Sequence, residues 1–176
     1  MKTIVYIGTS LDGFIATKDG SIDWLTPYSS KEVFESYNQF IKDIDAIVIG
    51  RGTFDTVLTF PEWPYNLPLF VLSTSLKEIP SSLKEKVTLL SMKPKEVIEH
   101  LSAEGFSNVY VDGGKVIQSF LREDCIDEMI ITKLPILIGE GIPLFGQLDK
   151  KLSFDLLKTE TYPNDLVKSY YRRTKK

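Results

Sequence analysis

The stretch 109-VYVDGGKVIQSFL-121 joins an apolar, β-rich run to two glycines, a lysine and a segment with helical periodicity. Continuously apolar, β-branched runs are typical of strands that are covered on both faces of a sheet. Glycine at the end of such a run allows a tight turn in which a ligand can approach the main chain. The stretch therefore predicts a buried strand, a glycine hinge and a helix.

The same alternation of strand and helix patterns extends along the whole chain. Strands are predicted at 3–8, 45–50, 68–73, 87–91, 108–112, 126–134, 152–162 and 166–173. Helices are predicted at 31–43, 94–105 and 114–123, and a further short helix is predicted after Arg51. The last two strands alternate apolar and polar residues, which is typical of antiparallel strands at one side of a sheet. The order predicts one α/β domain over residues 1–176, with three α/β/α layers, a mostly parallel mixed sheet and helices on both faces.

Composition narrows the class of protein. The 176 residues are 43% hydrophobic and 26% charged, with a net charge of −3, and no apolar run approaches the ~20 residues that a membrane span needs. A slightly acidic chain is a poor partner for nucleic acid. The single cysteine, Cys125, fits a reducing cytoplasm, and a single histidine, His100, cannot build a histidine-based metal site.

Three predicted strands end in small or hydroxyl residues, namely 50-GRGT-53, 73-STS-75 and 112-DGGK-115. The carboxyl ends of parallel strands form the ligand-binding edge of a sheet, and the first N–H groups of a helix suit a phosphate. The pattern predicts no acidic residue at a strand end that could bind a ribose 2′-hydroxyl, whereas Arg51 and the hydroxyls could bind a 2′-phosphate. This favours NADP over NAD. Tight turns without a ligand, and a surface ion pair for Arg51, are the alternatives.

The segments IGTSLDGFIA, GRGTFDTV, FVLSTS, VDGGKVIQSFL and ITKLPILIGEGIPLF resemble, in order and spacing, the reductase domain of the riboflavin-biosynthesis deaminase–reductase, a relative of dihydrofolate reductase. The resemblance implies a dihydrofolate reductase-like fold, a homodimer and NADPH as the cofactor. It implies adenosine contacts from Gly50, Arg51 and Thr53, and 2′-phosphate contacts from Ser73, Thr74 and Ser75. It implies diphosphate contacts from Gly113, Gly114, Lys115 and Val116, and nicotinamide contacts from Gly8, Ile15 and Ala16.

Candidate catalytic residues lie in the long segment after the first strand. Asp12 could supply a proton to the acceptor, and Trp24 could pack over a flat heterocycle. The alternatives are an Asx turn before Gly13 and a tryptophan that anchors the loop. A phosphate on the acceptor would need cationic partners, for which Lys18 and Lys31 are available, unless both are merely solvated.

The sequence thus predicts an NADPH-dependent reductase of a pteridine- or pyrimidine-like heterocycle. The nearest activity is that of 5-amino-6-(5-phosphoribosylamino)uracil reductase. The alternatives are a dihydrofolate reductase proper, which would need an acid such as Glu32 on the first helix, and a non-catalytic, dimeric NADP(H)-binding protein. The apolar loop residues Phe60, Trp63, Pro64 and Tyr65 could form a lid or a dimer patch.

Overall fold

The structure is a computed structural model that describes residues 1–162 and 164–174. Its main sheet has eight strands in the order β5-β4-β3-β6-β1-β7-β10-β9. Their bounds are β1 (Lys2–Thr9), β3 (Ala46–Gly50), β4 (Leu69–Leu72), β5 (Val87–Leu90), β6 (Asn108–Asp112), β7 (Glu128–Lys133), β9 (Phe154–Thr161) and β10 (Val167–Arg173). Two further short strands, β2 (Phe14–Ala16) and β8 (Ile142–Pro143), pair with each other.

The sheet is mostly parallel, as predicted. All neighbouring pairs from β5 to β7 are parallel, while β10 runs antiparallel to both β7 and β9. The parallel strands are continuously apolar because helices cover both of their faces. Their carboxyl ends therefore lie along one edge of the sheet, where the three predicted ligand-binding turns are found.

Helices cover both faces of the sheet, which confirms the predicted α/β/α layers. They are α1 (Lys31–Ile41), α2 (Arg51–Val57), α3 (Pro94–Ala103) and α4 (Gly114–Arg122), with 3-10 turns at Asp23–Tyr28 and Ser81–Leu83. Buried residues of α3 and α4 pack with Val109 and Val111 on one face of the sheet. On the other face, Phe54 of α2 and residues of α1 pack with Tyr110. Among the described residues, no helix has the length and apolar character needed to cross a membrane.

The ribbon formed by β2 and β8 is the main feature that the sequence did not predict. Phe14 lies opposite Pro143, and Ala16 lies opposite Ile142. A Cβ atom on Gly141 would collide with the carbonyl oxygen of Ala16, so the two segments approach this closely because residue 141 is a glycine. The ribbon brings the segment after β7 back to the carboxyl edge of the sheet.

Candidate cofactor and acceptor cleft

A cleft of about 1370 Å³ runs along the carboxyl edge of the parallel strands, from the end of β5 to the end of β1. Its walls come from the strand ends, the first turns of α2 and α4, and the β2–β8 ribbon. The lining includes all the residues predicted to bind the cofactor: Gly8, Ile15, Ala16, Gly50, Arg51, Thr53, Ser73, Thr74, Ser75, Gly113, Gly114, Lys115 and Val116. The structure thus brings together residues that are far apart in sequence, although their contact with a cofactor stays a prediction.

Arg51 and the serines of the β4 end form a cationic, hydroxyl-rich corner of this cleft. Arg51 Nη1 donates to Ser75 Oγ at 3.0 Å, and Arg51 Nε donates to Asp55 Oδ2 at 3.3 Å. Ser73 Oγ accepts the backbone N–H of Leu76 at 2.9 Å, so this hydroxyl also stabilises the turn. The guanidinium is held beside the end of β4 and stays half-exposed, which leaves donors for an anion.

The hinge between β6 and α4 requires glycine because of its backbone conformation. Gly113 has φ +92°, and a Cβ atom there would collide with Thr53 Oγ1. The first hydrogen bond of α4 runs from the Ile117 N–H to the Gly113 carbonyl at 2.9 Å, so the preceding N–H groups lie at the open end of the helix. A Cβ atom on Gly50 would lie 2.9 Å from Val116 Cγ2, so α4 begins close against the end of β3.

Gly114 faces away from the open space of the hinge. A Cβ atom there would lie 3.0 Å from Ile142 Cγ2 and 3.1 Å from Ile15 Cδ1. Gly114 therefore allows the β2–β8 ribbon to pack on the first turn of α4. The same packing holds Ile15 beside the cleft, at the end where Gly8 and Ala16 also lie.

Asp112 lies at the end of β6, on the face of the sheet that α1 covers, and it lines the cleft. Its Oδ1 accepts the Gly113 N–H at 2.8 Å. Burial raises the pKa of this carboxyl to about 6, although the hydrogen bonds from Gly113 and Tyr110 act in the opposite direction. Asp112 thus places an acid at a strand end, where the sequence pattern predicted none that could bind a ribose 2′-hydroxyl, and it stands in the sequence directly before the two glycines.

Tyrosine side chains surround this end of the cleft. Tyr6, Tyr37, Tyr65 and Tyr110 line it together with Asp112, and we call these five residues the acceptor chamber. The Tyr110 hydroxyl donates to the Tyr6 carbonyl at 2.9 Å. Burial raises the pKa of Tyr37 to about 12, so this phenol is neutral at physiological pH. The chamber offers flat aromatic walls, neutral hydroxyls and one carboxyl that titrates near pH 6.

The comparison with protein families identifies the group to which this architecture belongs. The family model of the RibD C-terminal domain matches residues 1–168. The chain belongs to the RibD C-terminal domain family. This membership, together with the RibD proteins among its relatives, supports a function of the pyrimidine-reductase type.

Solved structures and curated relatives agree with this family. A protein of Shewanella sp. PV-4 that is assigned to riboflavin biosynthesis is 45% identical and superposes with a TM-score of 0.94, over 99% of this chain and 100% of that one. The uncharacterized protein YwjB of Bacillus subtilis is 35% identical over 97% of this chain and 98% of its own. Dihydrofolate reductase of Enterococcus faecalis, solved with NADP(H), shares the fold at 16% identity, with a TM-score of 0.68 over 99% and 97% of the two chains.

Asp12 does not line the cleft of this RibD C-terminal domain. Its carboxylate accepts the Ser10 hydroxyl, the Gly139 N–H at 2.8 Å and the Ile138 N–H at 3.3 Å. These bonds, the Ser10 hydroxyl above all, hold the pKa of Asp12 below its ordinary value, so it is a poor proton donor. Asp12 instead ties the turn after β1 to the segment before β8.

Three other aromatic or acidic residues also lie outside the cleft. Trp24 belongs to the Asp23–Tyr28 turn and does not line the cleft, and its indole N–H is buried. Trp63 packs edge-on against Phe54 and Tyr65, so the predicted lid or dimer patch is partly anchored in the core. Glu32 is exposed in the first turn of α1 and lines a separate groove. Across residues 1–162 and 164–174, no group of three or more His, Cys, Asp or Glu side chains could hold a metal ion.

The raised pKa of Asp112 predicts how stability depends on pH. Because the folded state binds this proton more tightly than an ordinary carboxyl of pKa 3.8, the free energy of unfolding should fall as the pH rises from 4 to 6. Asp112→Asn keeps the oxygen that accepts the Gly113 N–H but removes the buried charge. We expect it to stabilise the fold at pH 7 by about 2–3 kcal/mol, and to leave stability at pH 4 nearly unchanged. Urea denaturation at both pH values measures this, and an equal effect at the two would contradict the assignment.

Proposed function

We propose that the chain is an NADPH-dependent reductase of a pteridine- or pyrimidine-like heterocycle. The observation that carries the proposal is the single cleft that joins the Arg51 corner, the glycine hinge and the acceptor chamber. A dinucleotide needs an anion-binding groove, and a hydride acceptor needs a pocket that opens into the same groove. The family membership supports the same chemistry.

The cofactor would extend along the edge of the sheet in one direction. Arg51 and Ser75 would bind the 2′-phosphate, since a guanidinium held by a neighbouring hydroxyl is oriented for an anion. The open N–H groups of Gly114, Lys115 and Val116 would bind the diphosphate at the positive end of α4. Gly8, Ile15 and Ala16 would face the nicotinamide, where small and apolar groups let the ring lie close to the main chain and keep water away.

Asp112 is the residue best placed to deliver a proton to the acceptor. Bound NADPH supplies the hydride, and reduction of a C=N bond also needs a proton on nitrogen. The Asp112 carboxyl lines the acceptor chamber, and burial keeps a substantial fraction of it protonated near pH 6. The tyrosine rings of the chamber would hold a flat heterocycle beside this carboxyl. We therefore assign the proton-donor role to Asp112 in place of Asp12.

The two alternatives receive less support from the geometry. A dihydrofolate reductase proper would have an acid on the first helix beside the acceptor, but Glu32 faces a different groove. A non-catalytic cofactor-binding protein would need no titratable group in the cleft, and the Asp112 carboxyl lines it. Neither alternative explains a partly buried carboxyl with a raised pKa at the end of a parallel strand.

We also propose that two copies assemble through the open edge of the sheet. β9 pairs only with β10 among the described strands, and its Leu156 and Leu157 are 59% and 47% exposed. Long exposed edge strands with apolar side chains are usually covered by another chain. A second copy pairing along β9 would cover both leucines.

Cofactor selectivity tests the Arg51 corner. We expect NADPH to bind at least about tenfold more tightly than NADH, a difference of roughly 1.4 kcal/mol. Arg51→Gln should remove most of this preference by weakening NADPH binding alone. The control, Arg172→Gln, changes an arginine that pairs with Glu128 outside the cleft and should have no effect. Equal affinities of the unmodified protein for NADPH and NADH, measured by fluorescence titration, would reject the 2′-phosphate assignment.

Turnover tests the role of Asp112. With any acceptor that supports NADPH oxidation, kcat should fall as the pH rises above about 6, because the carboxyl loses its proton. Asp112→Asn should lower kcat by about a hundredfold and leave NADPH affinity intact. Asp12→Asn is the matched control and should keep most of the activity. The assignment fails if the Asp12 variant loses activity and the Asp112 variant does not.

Assembly is tested by substitution on β9. Light scattering should give the mass of two chains for the unmodified protein and of one chain for the double variant Leu156→Lys, Leu157→Lys. Leu58→Lys introduces the same charge at a 43% exposed leucine after α2 and should leave the dimer intact. A monomeric unmodified protein would contradict the proposal.

A further inference from the structure

We infer that the acceptor carries no phosphate group and is a flat, unphosphorylated heterocycle. The inference rests on the proposed function and concerns the acceptor chamber. A phosphorylated acceptor, such as a ribosylamino-pyrimidine 5′-phosphate, brings a charge of about −1.5 to −2 and needs cationic or N–H partners. The charges around the chamber determine whether such partners exist.

The polar groups of the acceptor chamber are phenols and one carboxyl. Tyr6 stacks on Phe40, with ring centroids 4.6 Å apart, and Tyr110 packs edge-on against the same ring at 5.3 Å. These contacts fix the walls of the chamber in place. Asp112 is its one charged side chain, and that charge is negative once the carboxyl ionises. A phosphate in this chamber would meet no cation, and it would meet a second anion whenever Asp112 is ionised.

Most positive charges of the cleft lie away from the acceptor chamber. The arginines and lysines that line it are Lys18, Arg51, Lys93, Lys115 and Arg122. Lys93 directly precedes α3, while Lys115 and Arg122 belong to α4, and these two helices cover the face of the sheet opposite to α1. Arg51 is directed to Ser75 at the end of β4. These four cations suit the phosphates of the cofactor.

The two lysines predicted as possible partners of an acceptor phosphate, Lys18 and Lys31, each pair with a carboxylate. Lys18 forms an ion pair with Glu140, and Lys31 forms one with Glu35 at 3.5 Å. Both pairs are exposed, and Lys31 does not line the cleft.

Lys168, a basic side chain behind the chamber, is also compensated. It is buried, and its ammonium lies 4.9 Å from the centre of the Tyr162 ring and 3.8 Å from Glu160, and it hydrogen-bonds to Ser36 Oγ. It does not line the cleft. Within the part of the chain that the structure describes, each of Lys18, Lys31 and Lys168 therefore has an acidic partner, and the acceptor chamber itself contains no lysine or arginine.

A matched pair of ligands tests the inference. The probes are 5-amino-6-ribosylaminouracil and its 5′-phosphate ester, which differ only in the phosphate. Binding is measured by calorimetry on the protein alone and on the protein saturated with NADPH. We expect the unphosphorylated compound to bind at least about tenfold more tightly than the ester in both states. Equal or tighter binding of the ester contradicts the inference, and so does failure of both compounds to bind.

A gain-of-charge variant gives a second, independent measurement. Tyr65→Lys places an ammonium in the chamber and should improve binding of the phosphate ester at least about tenfold relative to the unphosphorylated compound. Tyr65→Phe is the neutral control and should keep the original preference. NADPH affinity, measured on the same samples, reports whether each variant retains its fold.

A measurement of NADPH binding also distinguishes failure of the proposed reductase function from failure of the inference about phosphate. Loss of NADPH binding in the unmodified protein would reject the proposed reductase. Normal NADPH binding together with a preference for the ester would reject only the inference about phosphate.

Discussion

The structure depends on the close approach of the first turn of α4 to the end of β3. Two positions allow it: Gly113, whose φ of +92° and lack of a Cβ atom avoid Thr53, and Gly50, which leaves room for Val116. A larger residue at either position would separate the helix from the sheet. The approach brings the N–H groups of α4 next to Arg51 and the end of β4, so one groove can contact both a diphosphate and a 2′-phosphate. The geometry of the proposed cofactor site therefore follows from backbone packing.

The same hinge explains the unusual state of Asp112. The residue precedes Gly113 directly, so the turn that opens α4 also fixes a carboxyl between the sheet and the tyrosines of the acceptor chamber. Burial there disfavours the ionised form and raises its pKa to about 6. A carboxylate that destabilises the fold at neutral pH is commonly found at functional sites. Under the proposed function, consecutive residues would thus serve cofactor binding and proton delivery.

Much of this arrangement could be predicted from local sequence. The apolar strands, the helices between them and the small residues at the strand ends are short-range patterns, and parallel strands bring such ends to one edge. The β2–β8 ribbon could not be predicted, because it pairs short segments more than a hundred residues apart and each lacks strand periodicity. The position of Asp12 outside the cleft could not be predicted for a related reason, since its partners Ile138 and Gly139 are equally distant in sequence. Asp112 could have been found, because an acid after an apolar strand and before two glycines is a local signal.

The central claim is that the Arg51 corner and the α4 hinge bind the two phosphate positions of one NADPH molecule. A crystal structure of the protein soaked with NADPH tests it most directly. The account predicts the 2′-phosphate within hydrogen-bonding distance of Arg51 and Ser75, the diphosphate at the N–H groups of Gly114 to Val116, and the nicotinamide beside Gly8, next to the acceptor chamber. NADPH bound elsewhere, or bound with its diphosphate away from α4, would contradict the account.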